Sequence, residues 1–165
     1  MSTMDGGTTK VKGRISVYCD TSALNRIFDD QSQPNIFLES SSMLVIFALI
    51  EKRIISILSS EVLTYENSRN PYSERQQFVS SVLQKARVIQ TLNAGLAVKA
   101  GKMEDMGIKG IDALHLACAE KLNADYFVTC DHRIIRRYAG STVKVVSPVE
   151  FTQRILHEEE ENADN

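Results

Sequence analysis

Five short runs rich in β-branched and aromatic residues are separated by stretches with helical spacing. That alternation leaves the chain few architectures. Arg14 to Cys19, Ile54 to Leu58, Arg87 to Gln90, Tyr126 to Thr129 and Val143 to Val146 have the length and composition of strands. Between them, helices are expected over about 35–52, from Ser59-Ser60-Glu61 to the break at Asn70-Pro71, over 72–85 and over 92–105. The clearest helix runs from Ile111 to Leu122, where Ile111, Leu114, Cys118 and Leu122 recur at helical spacing. Pro148 opens a last short helix ending near His157. Short apolar strands joined by helices long enough to cross over build an α/β fold with a mainly parallel sheet. With 165 residues, no internal repeat and no linker, one domain is expected.

Several function classes fall away on composition. The longest apolar run, Met43 to Ile50, is eight residues long and reads as a buried helix. It is far short of the ~20 residues that span a bilayer, so no membrane association is expected. Residues 1–13 are rich in Gly, Ser, Thr and Lys, lack an apolar signal core and are expected to be disordered. Three cysteines, far apart and with no CxxC pair, argue against a disulfide framework or a zinc site and fit a reducing cytoplasm. The net charge of −2 hides an uneven distribution. An acidic tail, residues 158–165, is expected to be disordered, and without it the body is mildly basic. Such a body binds phosphates locally rather than polyanions in general.

The acids carry more. In a parallel sheet the carboxyl ends of the strands share one edge, and ligands bind there. Asp20 ends the first strand and Asp131 follows the Tyr126 strand. The Ile111 helix must run antiparallel to the strand it precedes, which returns Asp112 to the same edge. Glu66 lies about two turns into the helix that follows the Ile54 strand. Each acid has a bland reading: Asp20 and Asp131 as helix caps, Asp112 as a helix-dipole partner, Glu66 as a solvated helix residue. Convergence weakens those readings jointly, because unrelated caps have no reason to share one pocket. Clustered carboxylates must take up protons or bind a cation. Oxygen ligands without Cys or His favour Mg²⁺ or Mn²⁺ over Zn²⁺, and a hard cation on an acidic edge suits phosphodiester hydrolysis.

Four segments, taken in order, carry a resemblance. They are Tyr18-Cys19-Asp20-Thr21-Ser22-Ala23-Leu24, Ser60-Glu61-Val62-Leu63-Thr64-Tyr65-Glu66, Ile111-Asp112-Ala113-Leu114-His115-Leu116-Ala117 and Ala124-Asp125-Tyr126-Phe127-Val128-Thr129-Cys130-Asp131. Over roughly residues 14–150 the chain resembles the PIN domain family, which includes the VapC-type toxin ribonucleases. The resemblance implies a three-layer α/β/α sandwich around a mainly parallel sheet of about five strands, with one nuclease domain over 14–157. It also implies a metal-dependent endoribonuclease using Mg²⁺ or Mn²⁺, an RNA substrate, an antitoxin protein as partner, and a homodimer. By position, Asp20 and Asp112 become the principal metal ligands, with Asp131 beside them. Glu66 and Asp131 complete the pocket and orient the metal-activated water. Glu61 competes for the role given to Glu66, but it stands at a helix start, where capping accounts for it.

Around the acids, His132, Arg133, Arg136 and Arg137 follow Asp131, and Lys99, Lys102 and Lys109 border the Asp112 turn. Arg133, Arg136, Arg137 and Lys109 are the candidates for holding RNA phosphates. Thr129 is a candidate hydroxyl for the pocket. His115, one turn after Asp112, is expected to pack or hydrogen-bond on a buried helix face. A dehalogenase-type phosphatase needs an Asp where Ser22 stands. A response-regulator receiver needs an acid and a lysine where Thr21 and Ser147 stand. The remaining rival is a PIN-fold module that binds RNA or protein without cutting.

Overall fold

A computed structural model describes residues 13–165; the expectation of N-terminal disorder falls, apart from Gly13, outside the described residues. The elements are β1 (Ser16–Cys19), α1 (Thr21–Leu24), a 3-10 turn (Arg26–Phe28), α2 (Pro34–Glu51), β2 (Ser56–Ile57), β3 (Ser59–Ser60), α3 (Glu61–Ser68) and α4 (Ser73–Leu83). They continue with β4 (Ile89–Gln90), α5 (Ala94–Asp105), α6 (Gly110–Lys121), β5 (Tyr126–Val128), α7 (His132–Arg137), β6 (Lys144–Val146) and α8 (Pro148–Ala163).

The main sheet has the order β2-β1-β5-β6, and every pairing is parallel. Val17, Tyr18 and Cys19 on β1 and Phe127 and Val128 on β5 are wholly buried, as central parallel strands covered on both faces must be. Helices α3 to α6 form one group, and α2 with α8 the other; α6 and α8 both pack on β5. This is the three-layer α/β/α arrangement.

The sheet has four strands where about five are expected. The Ile54–Leu58 segment changes partners at its end. The Leu58 N–H bonds Val17 O at 2.9 Å, and the next residue, Ser59, bonds Val88 O at 3.1 Å. The expected 87–90 strand therefore pairs with β3 in a separate two-stranded ladder instead of joining the main sheet.

Two helices differ from their sequence expectations. α2 is apolar almost all round and is the one described helix long enough to cross a membrane by length and composition. It lies instead on the core through Met43, Ile46 and Ile50, with Glu39 buried and ion-paired to Arg26. Only that face is covered: Phe37, Leu38, Leu44 and Val45 are exposed. The Met43–Ile50 run is thus half-buried.

α8 does not stop near His157, and 158–163 is helical rather than disordered. The Ser147 hydroxyl accepts from the Glu150 N–H, Pro148 stands at the first turn, and Phe151 and Ile155 anchor the start in the core. Glutamate is a good helix former, so a nucleated helix propagates through the exposed acidic run at little cost.

Candidate active site

The chain leaves β1 toward β2 on one side, while β5 lies on the other, so the strand order turns beside the carboxyl ends of β1 and β5. Crevices form at such a point. The Asp20 N–H extends the ladder to Val128 O at 3.2 Å, which places Asp20 on that edge.

Asp20 is 3% exposed. Its Oδ1 accepts from the Ala23 N–H at 3.0 Å, capping α1, and from the Ser22 hydroxyl at 2.6 Å. Burial pushes its pKa up, and hydrogen bonds from Ser22, Thr129 and Ala23 only partly offset that. Ser22 Oγ also accepts from the Cys130 N–H and lies 3.3 Å from Thr129 Oγ1, which accepts from the Asp131 N–H. Two hydroxyls thereby tie the end of β1 to the end of β5.

Glu66 is held from behind. Thr21 Oγ1 donates to its Oε1, and His115 Nε2 lies 3.1 Å from the same oxygen. His115 is 1% exposed, and its Nδ1 lies 2.7 Å from the Tyr18 hydroxyl, itself 2.7 Å from Ser60 Oγ. The directions follow from chemistry. A carboxylate only accepts, so Nε2 donates to Glu66, and in the neutral ring Nδ1 is left to accept from Tyr18. Burial raises the Tyr18 pKa well above the ordinary phenol range, which keeps that donor protonated. Ser60 Oγ accepts from the Leu63 N–H at 3.1 Å, capping α3, and its own proton goes to Tyr18. Burial alone would raise the Glu66 pKa, but hydrogen bonds from His115 and Thr21 outweigh it and hold the group below its usual range.

Asp112 stands in the first turn of α6 and, among the described residues, accepts no hydrogen bond. Its pKa is raised by burial and then by the charge of Asp20, with smaller contributions from Asp131 and Glu66 against the opposing pull of His115. Asp112 therefore senses the charge of each of the other three acids. Asp131 caps α7, with Oδ1 accepting from the Arg133 N–H and Nε and Oδ2 accepting from Arg133 Nη2 at 2.9 Å. Those Arg133 hydrogen bonds hold its pKa below the usual range.

Asp112 and Asp131 line a cleft of about 200 Å³ together with Lys109, Arg133 and Arg137. Gly107, at φ 84°, forms its rim in a backbone region that favours glycine, and its carbonyl accepts from Arg137 Nη1 at 3.0 Å. Of the four cationic candidates, three line this cleft and Arg136 does not. Lys99 pairs with Glu120 at 3.7 Å, away from the acids. Glu61 accepts from the Leu92 N–H at 2.8 Å and stays outside the acidic set.

A sequence profile of the PIN domain matches residues 17–140, which spans all four acids. The chain belongs to the PIN domain family. No curated protein matches it significantly in sequence. Among solved structures, VapBC2 from Rickettsia felis bound to a promoter DNA fragment is 16% identical, with TM-score 0.52, covering 81% of this chain and 98% of that one. DNA-bound VapBC from Salmonella typhimurium is 14% identical, with TM-score 0.53 and the same coverages. PAE2754 from Pyrobaculum aerophilum is 18% identical, with TM-score 0.53, over 90% of this chain and 94% of that one. At these identities the likeness is one of fold. Family and fold together support a nuclease-type role for this PIN domain.

The donor set of the PIN site fits a hard divalent cation. It is made of oxygens, Asp112 has unused lone pairs, and burial together with the charge of Asp20 raises the Asp112 pKa, an unfavourable charge that a cation would offset. Among the described residues, no three acidic, His or Cys side chains form a closed ligand set by themselves, and both oxygens of Asp131 are taken up by Arg133. Sequence reasoning missed Ser22, Tyr18 and Ser60. One signal pointed to Tyr18: a tyrosine inside a fully buried apolar strand must find a partner for its hydroxyl.

Proposed function

We propose that this PIN domain is an endoribonuclease dependent on Mg²⁺ or Mn²⁺ and the toxin of a toxin–antitoxin pair. The observation that carries the reading is the convergence of Asp20, Glu66, Asp112 and Asp131, from four separate segments, where the strand order turns. Asp20 and Asp112 would hold a divalent cation, which would supply Lewis-acid chemistry to the phosphate and to the water. Glu66, kept ionised by His115 and Thr21, accepts the proton of the attacking water. Lys109 and Arg137 neutralise the RNA backbone along the cleft. Arg133, whose side chain is 67% exposed, exchanges Asp131 for a phosphate when RNA arrives, and this frees Asp131 to act as the further ligand.

The toxin assignment draws support from the VapBC neighbours. It also draws on the exposed apolar stripe of α2, a surface that an antitoxin or a second copy of the chain would cover. The rival reading, a binding module that does not cut, is favoured by the engagement of Asp131 with Arg133. Labelled single-stranded RNA incubated with purified protein and Mg²⁺, Mn²⁺ or EDTA separates the two. The nuclease cleaves only with metal, and Asp112→Asn prepared identically does not cleave. A wild-type protein that retains RNA in EDTA and never cleaves it is the binding module.

A further inference from the structure

Beside the acidic edge lies a second and larger cavity, about 430 Å³, whose inner wall is Thr21, Glu66 and Ile111. Ile111 lines this cavity and Asp112 lines the cleft of Lys109 and Arg137, so the first turn of α6 borders both. A strand crossing from one to the other passes over the acids. The volume falls within the range of small-molecule sites, roughly 300–1,000 Å³.

Its outer wall has a different chemistry from the cleft. Tyr65 is 55% exposed, and the Arg69 guanidinium lies over its ring, 5.7 Å from the centroid. Among the described residues Arg69 has no carboxylate partner, and its Nη1 reaches only the Tyr65 hydroxyl, at 3.3 Å. Across from them, Asn25 and Asn70 are set by their neighbours. Asn25 Nδ2 donates to Thr21 O at 2.9 Å, and Asn70 Oδ1 accepts from the Tyr72 N–H at 3.0 Å. Asn70 Nδ2 then donates to Asn25 Oδ1 at 3.2 Å. This fixes both amide orientations and leaves an N–H on each side chain and a lone pair on Asn25 Oδ1 unspent. An aromatic ring for stacking, one unpaired guanidinium and two oriented amides are the groups that recognise a nucleobase by its face and its edge.

We propose that this cavity is a nucleotide subsite that takes one unpaired base of a single-stranded RNA, flanking the bond cut at the acidic edge. The proposal rests on the ribonuclease reading and adds the place where a base of the substrate is held. A base inside a duplex must first be unstacked and unpaired to enter the cavity, at a cost in free energy, so the site favours single strands.

The test is binding of a short fluorescein-labelled RNA, single-stranded or in a duplex, followed by anisotropy in EDTA so that no cleavage intervenes. Tyr65→Ala weakens single-strand binding about tenfold or more and leaves duplex binding unchanged. Tyr65→Phe, which keeps the ring, binds like wild type. Tyr72→Ala, at an equally exposed tyrosine (59%) outside the cavity, does the same. Wild-type affinity in Tyr65→Ala, or equal losses in Tyr65→Ala and Tyr72→Ala, overturns the subsite and leaves the ribonuclease reading intact. A wild-type protein that binds neither form of RNA in EDTA also overturns the subsite, while the ribonuclease reading stands or falls on metal-dependent cleavage. Both tyrosines are exposed, and matching circular dichroism melts of the variants exclude misfolding.

Discussion

Asp20 and Glu66, set against Asp112 and Asp131, are the same functional group in opposite states of preparation. Asp20 is buried and held through Oδ1 by a backbone N–H and a hydroxyl, and Glu66 is held by Thr21 and by a chain of buried groups running back to Ser60. Neither can turn without breaking buried hydrogen bonds. Asp112 makes no hydrogen bond among the described residues, and the side-chain partners of Asp131 come from one exposed arginine. One half of the site is completed by folding itself. The other half holds surplus negative charge and exchangeable contacts, which are what an arriving cation and an arriving phosphate can use.

The largest expected effect comes from loosening the prepared half. Tyr18→Phe keeps the ring, which stacks on Phe127 at 5.5 Å, and removes only the hydroxyl between His115 and Ser60. Two buried groups then lose a partner, which costs about 1–3 kcal/mol in urea unfolding, and RNA cleavage falls as Glu66 loses its fixed orientation. Unchanged stability would show that the chain from Ser60 to Glu66 is not closed.

The open half should respond in the opposite sense. Asp112→Asn, inactive in cleavage, should melt above wild type at pH 7 in EDTA, by roughly 2–4 °C for each kcal/mol of relieved repulsion. The raised pKa of Asp112 means that the folded chain holds this proton more readily than the unfolded chain does. Its contribution to stability is therefore present below the ordinary value of 3.8 and is lost as pH rises through the raised value. The gap between variant and wild type should close as pH is lowered toward 4. Glu66, with its lowered pKa, works the other way, losing its stabilising contribution as pH falls below about 4.5. That loss occurs in both proteins, so the gap between them reports chiefly on Asp112. Added Mg²⁺ should raise the wild-type melting temperature and leave the variant nearly unmoved. A variant less stable than wild type in EDTA would remove the idea of stored repulsion.

The smallest effect belongs to Arg133→Ala. Because Arg133 is exposed, the melting temperature should not change measurably. The dependence of log Kd for RNA on log salt should flatten by about one contact, read by titration at several ionic strengths. An unchanged slope would leave Arg133 as a cap partner of Asp131 only.

Much of this was legible in the chain, and the places where it was not share a cause. Strand-end logic brought Asp20, Asp112 and Asp131 to one edge because parallel strands joined by helices have that edge in common. Asp20 and Asp131 do act as caps, since the side chain of each accepts at the start of a helix. The tail differs from expectation because a glutamate run has the composition of disorder and also the propensity of a helix, and a nucleated α8 decides between them. Arg136 was grouped with its neighbours by sequence, but in a helix as short as α7 adjacent residues point to different sides.

What the sequence determined by itself was periodicity and punctuation: an α/β chain, its strand ends and the acids placed there, because those depend on local spacing and on a connection rule. The tertiary structure alone decided which groups meet at hydrogen-bond distance. Tyr18 and His115 are 97 positions apart, and Asn25 and Asn70 are 45 apart. It also decided that Leu58 and Ser59 bond to different strands. Such pairings carry no local signal, because a hydrogen bond at 2.7 Å is set by the packing of the whole core and not by the residues that flank its donor.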